Sequence, residues 1–306
     1  ETDDGLYSLA GSSSKHQLTY SFLTGLPADD TGKDATGFRV MNQKEQQAVQ
    51  AVLSYIASVI NVTFTLSSTP GQGDINFATN NQGGTSAGYA NLPNSSGNHP
   101  EYLFLANDQP SNNDFTIGTY GWSTLVHEVG HTLGLKHPGN YNAGGGGANP
   151  PFLPADTDNT RFSIMSYKTP ANVTVVSDNY IVPVNPQTFM TYDLEALQYL
   201  YGANKSTAAN QIINFSGSYV GMQTIWSPNG ATINVSTSTK NNLIDLRQGA
   251  YSSIGIITPE SQTTYDGKNN VGIAYGSVVN GVVGGAGDDI IYANAEGDTI
   301  DGGAGA

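Results

Sequence analysis

Apolar residues along this chain fall into short alternating runs separated by two stretches of helical period. Residues 18–23 (LTYSFL) and 61–66 (NVTFTL) are rich in β-branched and aromatic side chains, which predicts strands. Between them, Val49, Val52, Leu53, Ile56, Val59 and Ile60 recur every three or four residues, the spacing of a helix that buries one face. Asn42 with Glu45 three positions later predicts a capping box at its start. Further strands are expected at 73–78, 86–91 and 101–105, divided by Gly, Asn and Pro. A second helix is expected over 121–134, followed by a Gly/Asn/Pro-rich loop from 139 to 160 whose Asp156 and Asp158 read as solvated carboxylates, with ion binding as the alternative. Phe189, Leu194, Leu197, Leu200 and Tyr201 predict a third helix over 188–201, closed by Gly202. Helical period then disappears. Residues 206–283 are rich in Ser, Thr, Asn and Gly, with β-type runs such as 211–215 and 254–257.

This pattern divides the chain into an α+β domain over 1–205, a mixed twisted sheet with helices, and an all-β domain over 206–306. Composition narrows the partners. A net charge of −14 with 11 basic residues argues against nucleic acid and anionic membranes. No run of 18 apolar residues suggests insertion into a bilayer. With no cysteine, disulfides and thiolate ligands are excluded, so a transition-metal site would have to use imidazole and oxygen. The chain opens at Glu1 without a signal-like apolar stretch, which reads as a processed or trimmed product.

Three of the five histidines stand in one pattern: His127-Glu128-Val129-Gly130-His131-Thr132-Leu133-Gly134-Leu135-Lys136-His137. On a helix, positions 127 and 131 share a face one turn apart and can converge on one zinc ion. Glu128 lies beside the first ligand, placed to act as general base on the attacking water without ligating the metal. Gly134 can take the left-handed conformation that ends a helix, and the turn returns His137 to the same ion. Pro138-Gly139 keeps the helix from resuming. His16 and His99 fall outside the motif and read as exposed loop residues.

A nine-residue period begins at Gly284 with GGAGDDIIY, continues in 293–301 with Asp298 and Ile300 at the matching places, and reopens at Gly302-Gly303. This is the glycine–aspartate repeat of a calcium-binding parallel β-roll. Calcium takes six to eight oxygens, so its ligands must come from turns stacked on one another. Gly285, Gly287, Asp289, Asp298, Gly302 and Gly303 are the candidate contributors. Two units make one coil, so the first and third should share an ion. The short array suggests a truncated roll whose natural chain runs on past Ala306.

Downstream of the third histidine, Ser163-Ile164-Met165-Ser166-Tyr167 resembles the Met-turn of the metzincin metallopeptidases. Together with the calcium repeats and the runs HEVGHTLGLKHPGNYNAG and YDLEALQYLYGAN, the chain resembles the serralysins, secreted bacterial zinc proteases. The resemblance implies a metzincin catalytic domain followed by a parallel β-roll or β-sandwich. It implies His127, His131 and His137 as zinc ligands, Glu128 as catalytic base, and Met165 as the floor beneath the metal. Tyr167 would ligate zinc at rest and support the transition state. Lys168, where the family often carries tryptophan, is a departure. An extended substrate would pair with an edge strand at 86–91, with Ala87, Gly88, Tyr89 and Ala90 in contact.

The expected protein is thus a secreted, monomeric endopeptidase of broad specificity, because backbone pairing reads few side chains, with protein or peptide substrates and a proteinaceous inhibitor as partners. Two alternatives stand beside it: a calcium-dependent surface-attachment module on a zincin scaffold, and a protease specialised for a surface-layer protein. Retention of Glu128 separates the first of these from an enzyme, because attachment needs no base beside the metal.

Overall fold

The computed structural model describes residues 17–305 except 28–29, 31, 33, 94–99, 143–145, 178–179 and 259–263. His16 and His99, expected as loop residues, lie outside the described residues. Contacts divide the chain into two interleaved units: 1–158 with 196–204, and 159–195 with 205–306.

The first unit contains β1 (Gln17–Phe22), α1 (Gln43–Val59), β2 (Thr63–Leu66), β3 (Ile75–Asn80), β4 (Gly88–Ala90), β5 (Glu101–Ala106) and α2 (Tyr120–Thr132). Its sheet has the order β2-β1-β3-β5-β4. The β1/β2, β1/β3 and β3/β5 pairs are parallel, and β4 runs antiparallel to β5 at the edge. Parallel strands require long crossovers, and α1 provides the one between β1 and β2. Its apolar stripe of Ala48, Val49, Val52, Leu53, Ile56 and Val59 is buried. The capping box is present: Glu45 N donates to Asn42 Oδ1 (3.0 Å) and Asn42 N donates to Glu45 Oε2 (2.7 Å). Phe77, Leu103 and Leu105 fill the centre of the unit.

β3 begins at Ile75, two residues after its expected start at 73. Gly73 is held in a turn by the Asn76 side chain, which accepts from Gly73 N (3.0 Å) and donates to Gly73 O (2.8 Å).

The second unit contains a hairpin of β6 (Thr174–Ser177) and β7 (Tyr180–Pro183), then the start of α3 (Thr191–Tyr201). The helix opens at 191 and not at the expected 188, because Met190 N already donates to Asp193 Oδ2 (2.8 Å) and so belongs to the cap. Beyond it come β8 (Gln211–Asn214), β9 (Gln223–Ile225), β10 (Ala231–Asn234), β11 (Leu243–Asp245), β12 (Tyr251–Ser252), β13 (Val271–Ile273), β14 (Val279–Val283), β15 (Ile290–Tyr292) and β16 (Thr299–Asp301). They pair mostly in parallel, in the orders β16-β14-β10-β8, β11-β15 and β12-β13-β9. Ile225, Ile233, Val235, Ile244, Leu246, Val271, Ile273 and Val282 form the core between them. The strand expected at 254–257 is absent, since Gly255 sits at φ 74° and breaks the extended run. Among the described residues no helix is long and apolar enough to cross a membrane.

Glu101, on β5, is buried, and burial pushes its carboxyl pKa up to about 8. An acid whose pKa rises on folding adds no penalty below its unfolded value and costs stability as pH climbs towards the folded one. The melting temperature should therefore decline between about pH 4.5 and 8, and Glu101→Gln should flatten that decline. Thermal scans of both proteins across this range read the effect.

Candidate functional site

α2 is short but buried nearly all round, through Trp122, Leu125, Val126 and Val129, so its register is fixed by packing. Thr119 caps its start, accepting from Trp122 N (3.3 Å). At the other end Gly134 has φ 103°. Gly134 N donates to His131 O and Leu135 N to Gly130 O (both 2.9 Å), the paired bonds of a Schellman closure. A residue with a Cβ would pay about 1–2 kcal/mol for that left-handed backbone. The helix accordingly ends at Thr132, two residues short of the expected 134.

This closure brings the three histidines together. His137 Nε2 lies 3.2 Å from His127 Nε2 and 3.1 Å from His131 Nε2. Four-coordinate zinc with Zn–N of 2.0–2.1 Å would separate its ligands by about 3.3–3.4 Å. The donor set therefore fits zinc: three imidazoles, no thiolate. The opposite ring nitrogens are committed elsewhere. His131 Nδ1 donates to Leu135 O (2.7 Å) and His137 Nδ1 to Asn142 Oδ1 (2.8 Å), leaving both Nε2 atoms as acceptors. Burial, reinforced by the neighbouring rings, holds the His131 pKa well below its ordinary value, and burial also lowers that of His137. Both remain neutral, as metal ligation requires.

Glu128 is buried, and burial pushes its pKa up to about 8. A Cβ placed on Gly88 would lie 3.0 Å from Glu128 Cγ and 3.4 Å from its Oε1. The carboxyl therefore rests against β4, the edge strand. Ala106 N donates to Ala87 O (2.9 Å) and Asn91 N to Tyr102 O (3.1 Å). Inward bonding alternates along an antiparallel strand, so Ala87 and Tyr89 bond into the sheet. Gly88 and Ala90 turn their amides and carbonyls towards the open edge. Two side chains outside the motif fasten this strand. Asn112 Nδ2 donates to Ala87 O (2.7 Å) and Ala106 O (2.8 Å). Tyr89 OH donates to Asp34 Oδ1 (2.5 Å).

The loop after His137 is also tied down. Lys136 Nζ is buried and donates to the carbonyls of Asn149 and Pro151. Asp158, expected to be solvated, is instead buried and accepts from Tyr141 OH (2.5 Å).

In the second unit, Met165 is fully buried and the Tyr167 ring is about half exposed. Asp193 organises their turn, accepting from Ser163 Oγ (2.6 Å), Ile164 N (2.7 Å) and Met190 N. Turns near the C-terminal end of this unit stack on one another. Gly281 pairs with Thr299 and Val283 with Asp301, so one coil advances by two nine-residue units. A Cβ on Gly303 would strike Gly285 O, and one on Gly287 would strike Lys240 O. Asp298 Oδ1 is buried with no hydrogen-bond partner, which suits a cation ligand, whereas both oxygens of Asp289 accept N–H groups.

Nothing in the sequence marks Asn112, Asn142 or Asp193 for the roles they take here. Asn142 falls five residues after the last ligand, and only the folded loop shows which ring it meets.

No family model matches the chain. It is 31% identical to a metallopeptidase, AprA, of Pseudomonas marginalis over 299 residues, covering 92% of this chain and 60% of that protein. Serralysin G of Dickeya chrysanthemi is 30% identical over 304 residues, covering 93% and 60%. Serralysin of Photorhabdus luminescens is 28% identical over 303 residues, covering 93% and 59%. The chain thus spans about three fifths of the length of the curated relatives it matches.

Removing the Asn142 acceptor frees His137 to rotate and change tautomer. Asn142→Ala should weaken zinc binding about 10- to 100-fold, measured by competition with a chromogenic chelator, while the melting temperature of the metal-free protein stays close to that of the parent.

Proposed function

The chain is related to the serralysin-type metalloproteases along nine tenths of its length, and on that premise we propose that it is a zinc-dependent endopeptidase acting on extracellular proteins. The observation that carries this reading is the meeting of three histidine Nε2 atoms beside a buried carboxyl that itself lies against an open sheet edge.

Zinc held by His127, His131 and His137 would supply a Lewis acid for the scissile carbonyl and the attacking water, and its charge would favour the ionised form of Glu128. A peptide lying antiparallel along β4 pairs with the outward amides and carbonyls of Gly88 and Ala90, which gives affinity with little side-chain preference. That pairing presents the scissile bond close to Glu128, because Gly88 is the residue the carboxyl touches. Glu128 takes the proton as water adds to the carbonyl carbon and returns it to the departing amine. Tyr167, by the family resemblance, donates its hydroxyl to the developing oxyanion. Buried, anchored imidazoles resist reorientation during this cycle. The β-roll is assigned structural calcium at the stacked turns of Gly285, Gly287, Gly302 and Gly303 with Asp298, folding outside the cell where calcium is millimolar. A purely adhesive module gains nothing from a base held in this position.

Casein hydrolysis by Glu128→Ala, compared with the parent at equal zinc content, tests the assignment. A loss of roughly 10²–10⁴-fold is expected, and full activity in the variant would remove Glu128 as the base. Gly88→Ala should lower kcat about tenfold or more with zinc content unchanged, because the new methyl displaces the carboxyl. Steady-state kinetics on a fluorogenic peptide with metal analysis of the same sample checks this.

A further inference from the structure

The step directly beneath the glycine–aspartate repeat is built differently from the repeat itself. β11 pairs with β15 with Leu243 opposite Ile290 and Ile244 opposite Ile291. That register places Asn242 at the position equivalent to Asp289, one coil below it. A Cβ on Gly285 would strike Ser238 O and one on Gly287 would strike Lys240 O, so the turn at 238–242 lies directly under the turn at 284–289. Its sequence, Ser238-Thr239-Lys240-Asn241-Asn242, keeps neither the glycines nor the aspartate of the repeat.

Asn242 is buried, and all of its polar groups are used. Its Nδ2 donates to Asp289 Oδ1 (2.8 Å) and to Lys240 O (3.0 Å), and its backbone N donates to the same Asp289 oxygen (2.9 Å). Its Oδ1 accepts from Gly255 N (2.8 Å). Because a backbone amide can only donate, that last bond fixes which end of the side chain faces Asp289. The other Asp289 oxygen accepts from Gly285 N (2.9 Å).

Two aspartates facing each other across stacked turns repel and need a cation between them. An asparagine amide facing an aspartate needs none, since its N–H groups supply the positive partner. We infer that Asn242 closes this step of the roll in place of a calcium ion, so that the 238–246 coil folds without calcium and offers a finished template to the repeats stacked on it. Each coil of such an array is stabilised by its neighbour, so a preformed coil lowers the cost of ordering the next. The inference rests on the reading of the later turns as calcium-binding.

Thermal unfolding of the whole chain, in EDTA and in millimolar calcium chloride, together with calcium stoichiometry by calorimetry, tests it. Asn242→Ala removes the amide and adds no charge. Its midpoint should fall by on the order of 5 °C, equally in EDTA and in calcium, with the number of bound ions unchanged. Asn242→Asp sets two carboxylates together. It should fall further in EDTA, recover in calcium, and bind about one ion more than the parent. A fall in Asn242→Ala that calcium repairs, or a loss of a bound ion in that variant, would overturn the inference. A parent chain that binds no calcium would defeat the calcium reading of the later turns, while an equal fall of Asn242→Ala in both buffers would still support the hydrogen-bonded step.

Discussion

A single left-handed residue lets one stretch of chain deliver three imidazoles to one point. Helical geometry alone aligns His127 with His131, but a helix that continued past Gly134 would carry position 137 away from them. The φ of 103° at Gly134 and the two closing bonds to His131 O and Gly130 O reverse the chain within one turn. His137 Nε2 then arrives 3.1–3.2 Å from the other two. The bonds of Leu135 O to His131 and of Asn142 to His137 fix the tautomers once the turn is made. Each of these features presupposes the glycine.

The second constraint joins the helix to the sheet. β4 is the antiparallel edge of an otherwise parallel sheet, and Gly88 leaves room against it for the Glu128 carboxyl. The same residue that spares the Glu128 carboxyl a neighbouring methyl group also turns its backbone to the open edge. Under the proposed function, proton transfer and substrate pairing would share one position. Asn112 and the Tyr89–Asp34 pair hold the strand from behind, which keeps an edge of three residues from fraying.

Beyond residue 204 the physics changes from helix packing to stacking of coils. Parallel pairing of β14 with β16 at a two-unit offset means that each turn rests on the one below, and glycines are required because carbonyls approach where a Cβ would stand. Asp298 and Asp289 occupy the same place in the repeat yet differ in surroundings: one has a buried oxygen without a donor, the other is covered by Asn242 and Gly285. The repeat pattern treats them alike. The coil beneath each one distinguishes them.

Local chemistry was legible in the sequence. The capping box at Asn42, the stripe of α1, the histidine spacing, the stop at Gly134 and the glycine–aspartate period all act over a few residues, and their physical requirements can be read from neighbours in the chain. Boundaries moved where a distant or turn-forming side chain intervened, as at Gly73 and Met190. What only the tertiary structure decided were the partners that long-range packing brings in: Asn142 on His137, Gly88 on Glu128, Asp193 under the turn of Met165, the burial of Asp158, and Asn242 against Asp289. No periodicity encodes such pairs, because which residue faces which depends on the register of strands and turns that are separated by tens of residues and fixed by the packing of the whole unit.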